Sequence, residues 1–398
     1  MATDLPDKDT SLWLDTTEKT NFPALKKSAA VFDTVVAGGG IAGILTAWLL
    51  QKDGLKTAIV EKNRIIENTT GNTTAKLTSQ HDLIYDFLIK KHGKESASLY
   101  ATSNQQAVDR IEKIAQDLKI DCDFERTAAY VYTSETKKIK DVEAEVKAAK
   151  SLGLPASLDV PTELPLEIMA AVKFDNQAQF HPRKFLLGIV EDYLKKGGLI
   201  FEQTEASDIE PGSTETLVTK NGSLTAKNIV VATKYAFWQP KIFEAASWTK
   251  LSYALGVKLK PQADYPLNMY INTYDEGPVR TIRSHPYKGS RILIFGGESH
   301  KLTKDYDKAK HYQKLVDEVK ERFDCERIIY RWIAGDVMPH EKLPFVGRYP
   351  KRKNIYVISG FNAWGLAWGM AAAELIRDQI LDRSNPLSKM LDPARLGK

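Results

Sequence analysis

A short unit near the start of the chain constrains the fold more than any other feature. An apolar run, Val31 to Ala37, leads into Gly38, Gly40 and Gly43 in a G-x-G-x-x-G frame. A helical pattern follows to about Asp53 and stops at Gly54. A second apolar run, Thr57 to Val60, ends in Glu61. Strand, glycine turn, helix, strand and acid form the pattern of a dinucleotide-binding unit. Gly38 permits the tight turn, Gly40 lets backbone approach a pyrophosphate, and Gly43 lets the helix pack on the strand. The free N–H groups and positive dipole of the helix start, at Ile41 and Ala42, attract phosphate. Glu61, 18 residues past Gly43, can take two hydroxyls of an adenosine ribose, with Lys62 beside it. The acid implies a free 2′-OH, hence FAD or NAD rather than NADP. The motif alone does not choose between those two.

With 398 residues the chain can hold two domains and a large core. No stretch approaches the ~20 apolar residues of a membrane span. Residues 1–20 are polar and acidic, unlike a secretory signal or a basic transit peptide. Cys122 and Cys325 are the only cysteines, which excludes a disulfide framework or a thiolate cluster and implies a cytoplasmic setting. The net charge of +5 is spread along the chain, and its basic clusters lack the interleaved aromatics that stack bases, so no nucleic-acid partner is expected. No metal-ligand spacing and no Ser–His–Asp arrangement can be argued.

Two apolar spots in the polar segment 1–30, Ser11–Leu14 and Phe22–Leu25, suggest an arm laid across the body. After Glu61 comes a Thr-rich stretch, 67–81, with donors for pyrophosphate and ribityl oxygens. Helices are expected at 83–92 and 96–118, strands at 124–133 and 170–174, and a turn at 176–182 into a helix at 183–196. Strand 197–202, a hairpin about Asn221-Gly222 and a buried parallel strand at 228–233 follow. Segments within 241–330 read as an antiparallel sheet ending at Gly296-Gly297, with a helix at 306–323. A proline-punctuated loop runs from Trp332 to Gly347. The strand 354–359 then meets Gly360-Phe361-Asn362 and a helix over 370–381, a second strand–glycine–helix junction. The fold class is therefore α/β, a Rossmann-like nucleotide-binding domain (31–120, 170–240 and 331–398) with an inserted, mostly antiparallel α+β substrate domain (121–169 and 241–330).

These residues, taken in order, resemble the FAD-dependent oxidoreductases of the D-amino-acid oxidase and glycine oxidase type over nearly the whole chain. The resemblance rests on Gly38/Gly40/Gly43…Glu61, Phe180-His-Pro182, the strand 201–209 and Ile229–Thr233. It extends to Gly296-Gly-Glu298, Trp332…Leu343-Pro-Phe-Val-Gly347 and Ser359-Gly-Phe…Gly365…Gly369. Residues 69–81 are similar to a subgroup often fused to a C-terminal Rieske domain. The resemblance implies FAD, held non-covalently, and oxidation of a C–N bond of an amine or amino-acid-like small molecule by hydride transfer to flavin N5. It implies that Thr70, Gly71, Asn72, Thr73, Thr74, Ala75, Lys76, Leu77 and Thr78 line the pyrophosphate and flavin. Ala206, Ala232 and Thr233 would lie by the nucleotide. Gly360, Phe361, Asn362, Trp364, Gly365 and Leu366 would lie at the pyrimidine end, where a helix dipole favours the reduced flavin.

Four departures stand out. The two cysteines cannot form a Rieske cluster, so electrons are expected to leave by oxygen, a quinone-like acceptor or a separate redox partner protein. The Arg that grips a substrate carboxylate in amino-acid oxidases is Asp336 here, with the fifteen-residue spacing from Trp332 to Gly347 kept. Asp336 would rather meet a cation such as an amine. The Asp before Leu-Pro is Glu341, and the oxygen-assisting lysine of monomeric sarcosine oxidases falls near Ile294. Pocket candidates are Lys76, Tyr253, Arg283, His300, Asp336, His340, Glu341 and Trp364. The competing reading is a flavoprotein electron-transfer component serving a separate Rieske or other redox partner.

Overall fold

A computed structural model describes residues 8–26, 30–238, 241–274 and 277–397. The ends of the expected arm at 1–7 and 27–29, and the boundary drawn at 240, lie outside the described residues. Two sheets organise the chain. The eight-stranded sheet runs in the order Phe345–Arg348, Ile355–Ser359, Gly222–Val231, Val31–Ala37, Thr57–Val60 and Leu199–Phe201, with the strands Glu215–Thr219 and Ala206–Glu210 appended to Gly222–Val231. The central pairings are parallel.

Val31–Ala37 is buried on both faces, and the two-residue period of a strand divides its side chains. Val36 packs under the helices Ile41–Lys52 and Gly365–Ile380, whereas Val35 and Ala37 join Leu217 and Val357 on the other face. The ten-stranded sheet is mostly antiparallel. Its longest pairings are made by Ser247–Leu259, flanked by Cys325–Pro339 and Ser290–Lys301. Helix Lys308–Arg322 covers it, burying Tyr312, Leu315, Val316 and Val319 at helical spacing. The expected two helices after the Thr-rich stretch are one element, Tyr85–Asp117, interrupted at Gly93. The Glu145 carboxylate caps its start by accepting from the N–H groups of Ile84, Tyr85 and Asp86. Among the described residues no helix is long and apolar enough to cross a membrane.

Several sequence expectations change. Ala170–Gln179 is one ten-residue strand that pairs with Glu125–Thr133 in the larger sheet, although its sequence position suggested the nucleotide-binding part. The stretch read as a turn at 176 is a register shift inside that ladder. Gly296-Gly297 does not end a strand, because Ser290–Lys301 runs through it beside Thr281 and Tyr253. Residues 333–339 are not loop. They continue the strand Cys325–Pro339 in unbroken register with 247–253, which carries Asp336 into a sheet face. The N-terminal arm does lie on the body. Lys8–Asp9 pairs with Tyr330 and Arg331, and Leu12 and Trp13 are buried.

Candidate functional site

The two sheets share one cavity of about 700 Å³. Its first end is the glycine turn. Gly38 adopts φ +116°, and a Cβ there would strike the carbonyl oxygen of Ala232. Gly38, Gly40, Ile41 and Ala42 line the cavity, whereas Gly43 lies behind them, packed on the Gly38 carbonyl. Helix Ile41–Lys52 starts at Gly40 without a side-chain cap from that residue, and Thr70 Oγ1 accepts the Ile41 N–H at 3.1 Å. The Glu61 carboxylate accepts from Gly39 N–H at 2.9 Å and Asn63 N–H at 3.0 Å, which fixes the acid against the turn. Lys62, Ala206, Ala232 and Thr233 complete this end.

The Thr-rich stretch forms a side wall. Thr70, Asn72, Thr73, Thr74 and Lys76 face the cavity, and Gly71, Ala75, Leu77 and Thr78 do not. Opposite lie Gly360, Phe361, Asn362, Trp364, Gly365 and Leu366. Trp364 is the N-cap of helix Gly365–Ile380, again without a side-chain cap. Its ring stacks on His81, with centroids 4.7 Å apart. Burial pushes the His81 imidazole down to about 3, so it is neutral. Nε2 then donates to the Thr78 carbonyl at 2.8 Å, and Nδ1 accepts from Tyr100 at 2.7 Å. His81 is thus a wall residue that braces Trp364.

Four pocket candidates reach the cavity: Lys76, Tyr253, Asp336 and Trp364. Four do not. Arg283 is wholly buried and donates to the carbonyls of Thr74 and Ala75 and to His285, so it supports the side wall from behind. His300 lies on the outer side of Tyr253, meeting its hydroxyl at 3.0 Å. His340 is exposed, with its backbone N–H on Ala246. Glu341 faces Arg395 at 3.4 Å. Strand alternation at Arg283 and His300, and the turn after Pro339 at His340 and Glu341, direct these side chains elsewhere.

Asp336 has company that sequence reasoning missed. Lys250 is its cross-strand partner, and Lys234 reaches the same region. Lys234 holds φ +69°, a conformation that suits glycine, and its Nζ lies 3.0 Å from where a Cβ on Gly335 would stand. The absent Cβ leaves room for that ammonium beside Asp336. Burial raises the Asp336 pKa, and Lys250 and Lys234 oppose the rise. Burial lowers that of Lys234, which Asp336 opposes. The signal available in the sequence was the Lys at 234, where the resemblance expects glycine.

Lys76 is the other perturbed base. Burial, followed by the nearby Arg283 charge, brings its pKa down to about 7. The side chain keeps some exposure, but only toward the cavity. An unfolded lysine titrates near 10.5, so between pH 7 and 10.5 the unfolded chain binds the extra proton. Stability from this group therefore rises with pH across that window. In chemical denaturation of flavin-free protein at pH 7 and pH 9, the wild type is expected to gain stability at the higher pH relative to Lys76→Met. Equal pH slopes would show that Lys76 does not titrate there. Among the described residues, no group of three or more His, Cys, Asp or Glu is placed to hold a metal ion.

Residues 33–379 match the family model described as FAD dependent oxidoreductase. The chain is 33% identical over 386 residues to YhfW of Bacillus subtilis (strain 168), a protein named for a Rieske 2Fe-2S iron–sulfur protein, covering 96% of this chain and 75% of YhfW. It is 21% identical to the gamma-glutamylputrescine oxidoreductase of Escherichia coli (strain K12), over 87% of this chain and 83% of that one. The fold is similar to glycine oxidase from Geobacillus kaustophilus, with a TM-score of 0.76 at 18% identity, covering 92% of this chain and 99% of the oxidase.

Proposed function

The chain belongs to the family of FAD-dependent oxidoreductases, and from that premise we propose that it oxidises a C–N bond of an amine or amino-acid-like small molecule. FAD, when bound, supplies the hydride acceptor, N5 of its flavin. The observation that carries this reading is the continuity of the cavity. The glycine turn, the helix start at 364–366 and the charged group of Lys234, Lys250 and Asp336 bound one space.

The cradle fits FAD. Two helix starts whose N-cap residues, Gly40 and Trp364, supply no capping side chain offer N–H groups and positive dipoles to negative charge. In this reading Glu61 takes the ribose hydroxyls, and Gly38 to Ala42 hold the pyrophosphate. Thr70 to Thr74 flank the flavin, and Gly360 to Leu366 hold its pyrimidine end. In this reading the attachment is non-covalent: both ring nitrogens of His81 are already hydrogen-bonded, and neither cysteine lines the cavity. An amine gives up a hydride only when deprotonated. Lys234 and Lys250 outnumber the negative charge of Asp336, and positive charge nearby lowers the pKa of a bound amine. Trp364 and Tyr253 supply apolar walls that exclude water. The two free cysteines support a reducing, cytoplasmic setting.

The similarity to YhfW favours a second reading, in which the protein passes electrons to or from a separate Rieske or other redox partner. Anaerobic titration of the holoprotein with primary, secondary and N-methyl amines separates the two. Loss of visible flavin absorption with at least one amine is the expected result. Bleaching by none, with reduction by a partner protein, would overturn the first reading in favour of the second.

A further inference from the structure

The side wall from Gly71 to Ala75 has every carbonyl occupied by a side-chain donor. Ser11 Oγ donates to Gly71, Trp332 Nε1 to Asn72 at 3.0 Å, and Trp13 Nε1 to Thr73 at 2.7 Å. Arg283 takes both Thr74 and Ala75. Ser11 and Trp13 belong to the arm that precedes the first strand of the glycine unit. Neither touches the cavity, and both are wholly buried.

A trans peptide group is planar, so its N–H points opposite to its C=O. Fixing the carbonyls of Asn72 and Thr73 therefore fixes the N–H groups of Thr73 and Thr74 in the opposite direction. Both residues line the cavity, and neither N–H has an acceptor among the described residues. They are two backbone donors left for a ligand. Trp13 is itself held by edge contacts with His181 and His285, at 4.9 and 4.8 Å between centroids. Further along the arm, the Glu202 carboxylate accepts from Thr20, from Phe22 N–H and from Ile65 N–H, which ties the arm to the segment after Glu61.

We propose that residues 8–25 form a clasp that aims the Thr73 and Thr74 N–H groups at FAD, with Ser11 and Trp13 as positioning residues for the cofactor. The clasp acts on the cofactor whichever amine is oxidised. Trp13→Phe keeps the ring and removes only the indole donor, and Ser11→Ala removes the neighbouring one. Thr16→Val is the control, because it removes the arm's hydrogen bonds to His181 and to the Leu12 carbonyl without touching the wall carbonyls.

FAD dissociation constants would be measured by reconstituting stripped protein, alongside visible flavin spectra, midpoint potentials and melting temperatures. Trp13→Phe and Ser11→Ala are each expected to weaken FAD about tenfold and to shift the flavin spectrum and potential. Thr16→Val is expected to lower the melting temperature alone. The proposal is overturned if Trp13→Phe and Ser11→Ala change only melting, or if Thr16→Val moves the flavin signals as far. Should Trp13→Phe fail to fold, Ser11→Ala carries the same test.

Discussion

Gly43→Val is expected to yield a folded protein that purifies without flavin. Gly43 is the third residue of helix Ile41–Lys52, and a side chain there would drive into the Gly38 carbonyl oxygen while pressing on Val36 Cγ1 at 3.3 Å. The obstacle is backbone, so no rotamer relieves it. The turn must move, and with it the N–H groups that face the cavity. Overpacking of this kind costs about 1–3 kcal/mol, which the eight-stranded sheet and its two faces of packed side chains can absorb. FAD binding has no such reserve, because its donors are the displaced atoms. Its dissociation constant should rise at least ~100-fold, equivalent to ~2.7 kcal/mol. Titration of stripped protein with FAD measures this directly, and a yellow variant with unchanged affinity would show that the turn is not the phosphate cradle.

The second large effect is expected at the lysine–aspartate group, where two substitutions should act with opposite signs. Lys234→Met removes a cation from the cavity and leaves Asp336 facing Lys250 alone. Asp336→Asn removes the anion and leaves both lysines uncompensated. Charge-assisted hydrogen bonds are worth about 1.5–3 kcal/mol, or roughly 10–100-fold in kcat/KM. With two amines that differ only by a carboxylate, Lys234→Met should shift preference away from the acid-bearing one by at least ~10-fold. Asp336→Asn should shift it toward that amine by ~10-fold. Most of the change should fall in KM, since the interaction exists before hydride transfer as well as during it. The same preference in all three proteins would mean that the group does not face the substrate.

Much of the nucleotide-binding half was legible because its signals are local. Gly38 to Glu61 states its own turn, helix and acid within one stretch, and Ile355–Ser359 announces its burial by composition. The Gly360–Leu366 junction needed only the glycine and the following helical period. What could not be read depends on register between distant strands. Asp336 looked like a lone acid in a loop, because nothing in 325–339 declares its pairing with 247–259. Lys250 became its neighbour only through that pairing. Arg283 and His300 sit on alternating strands whose inward face is not marked by sequence, since Gly296 and Gly297 carry no side chain to mark it. Ser11 and Trp13 read as part of one spot in a polar arm, and their targets, the carbonyls of Gly71 and Thr73, have no side-chain signature at all.

The eight-stranded sheet also sets an order in time. Its neighbouring strands Val31–Ala37 and Gly222–Val231 are far apart in sequence, and the next strand out, Ile355–Ser359, leads directly into the second helix start of the cavity. During synthesis the glycine turn therefore emerges long before the opposite wall exists. A nascent chain that has not delivered residues 355–366 possesses half of the proposed binding site and an exposed edge at Ile229–Val231. On the proposed placement of the flavin its capture is a late event, and a ribosome stalled before that segment is expected to hold a chain that does not turn yellow.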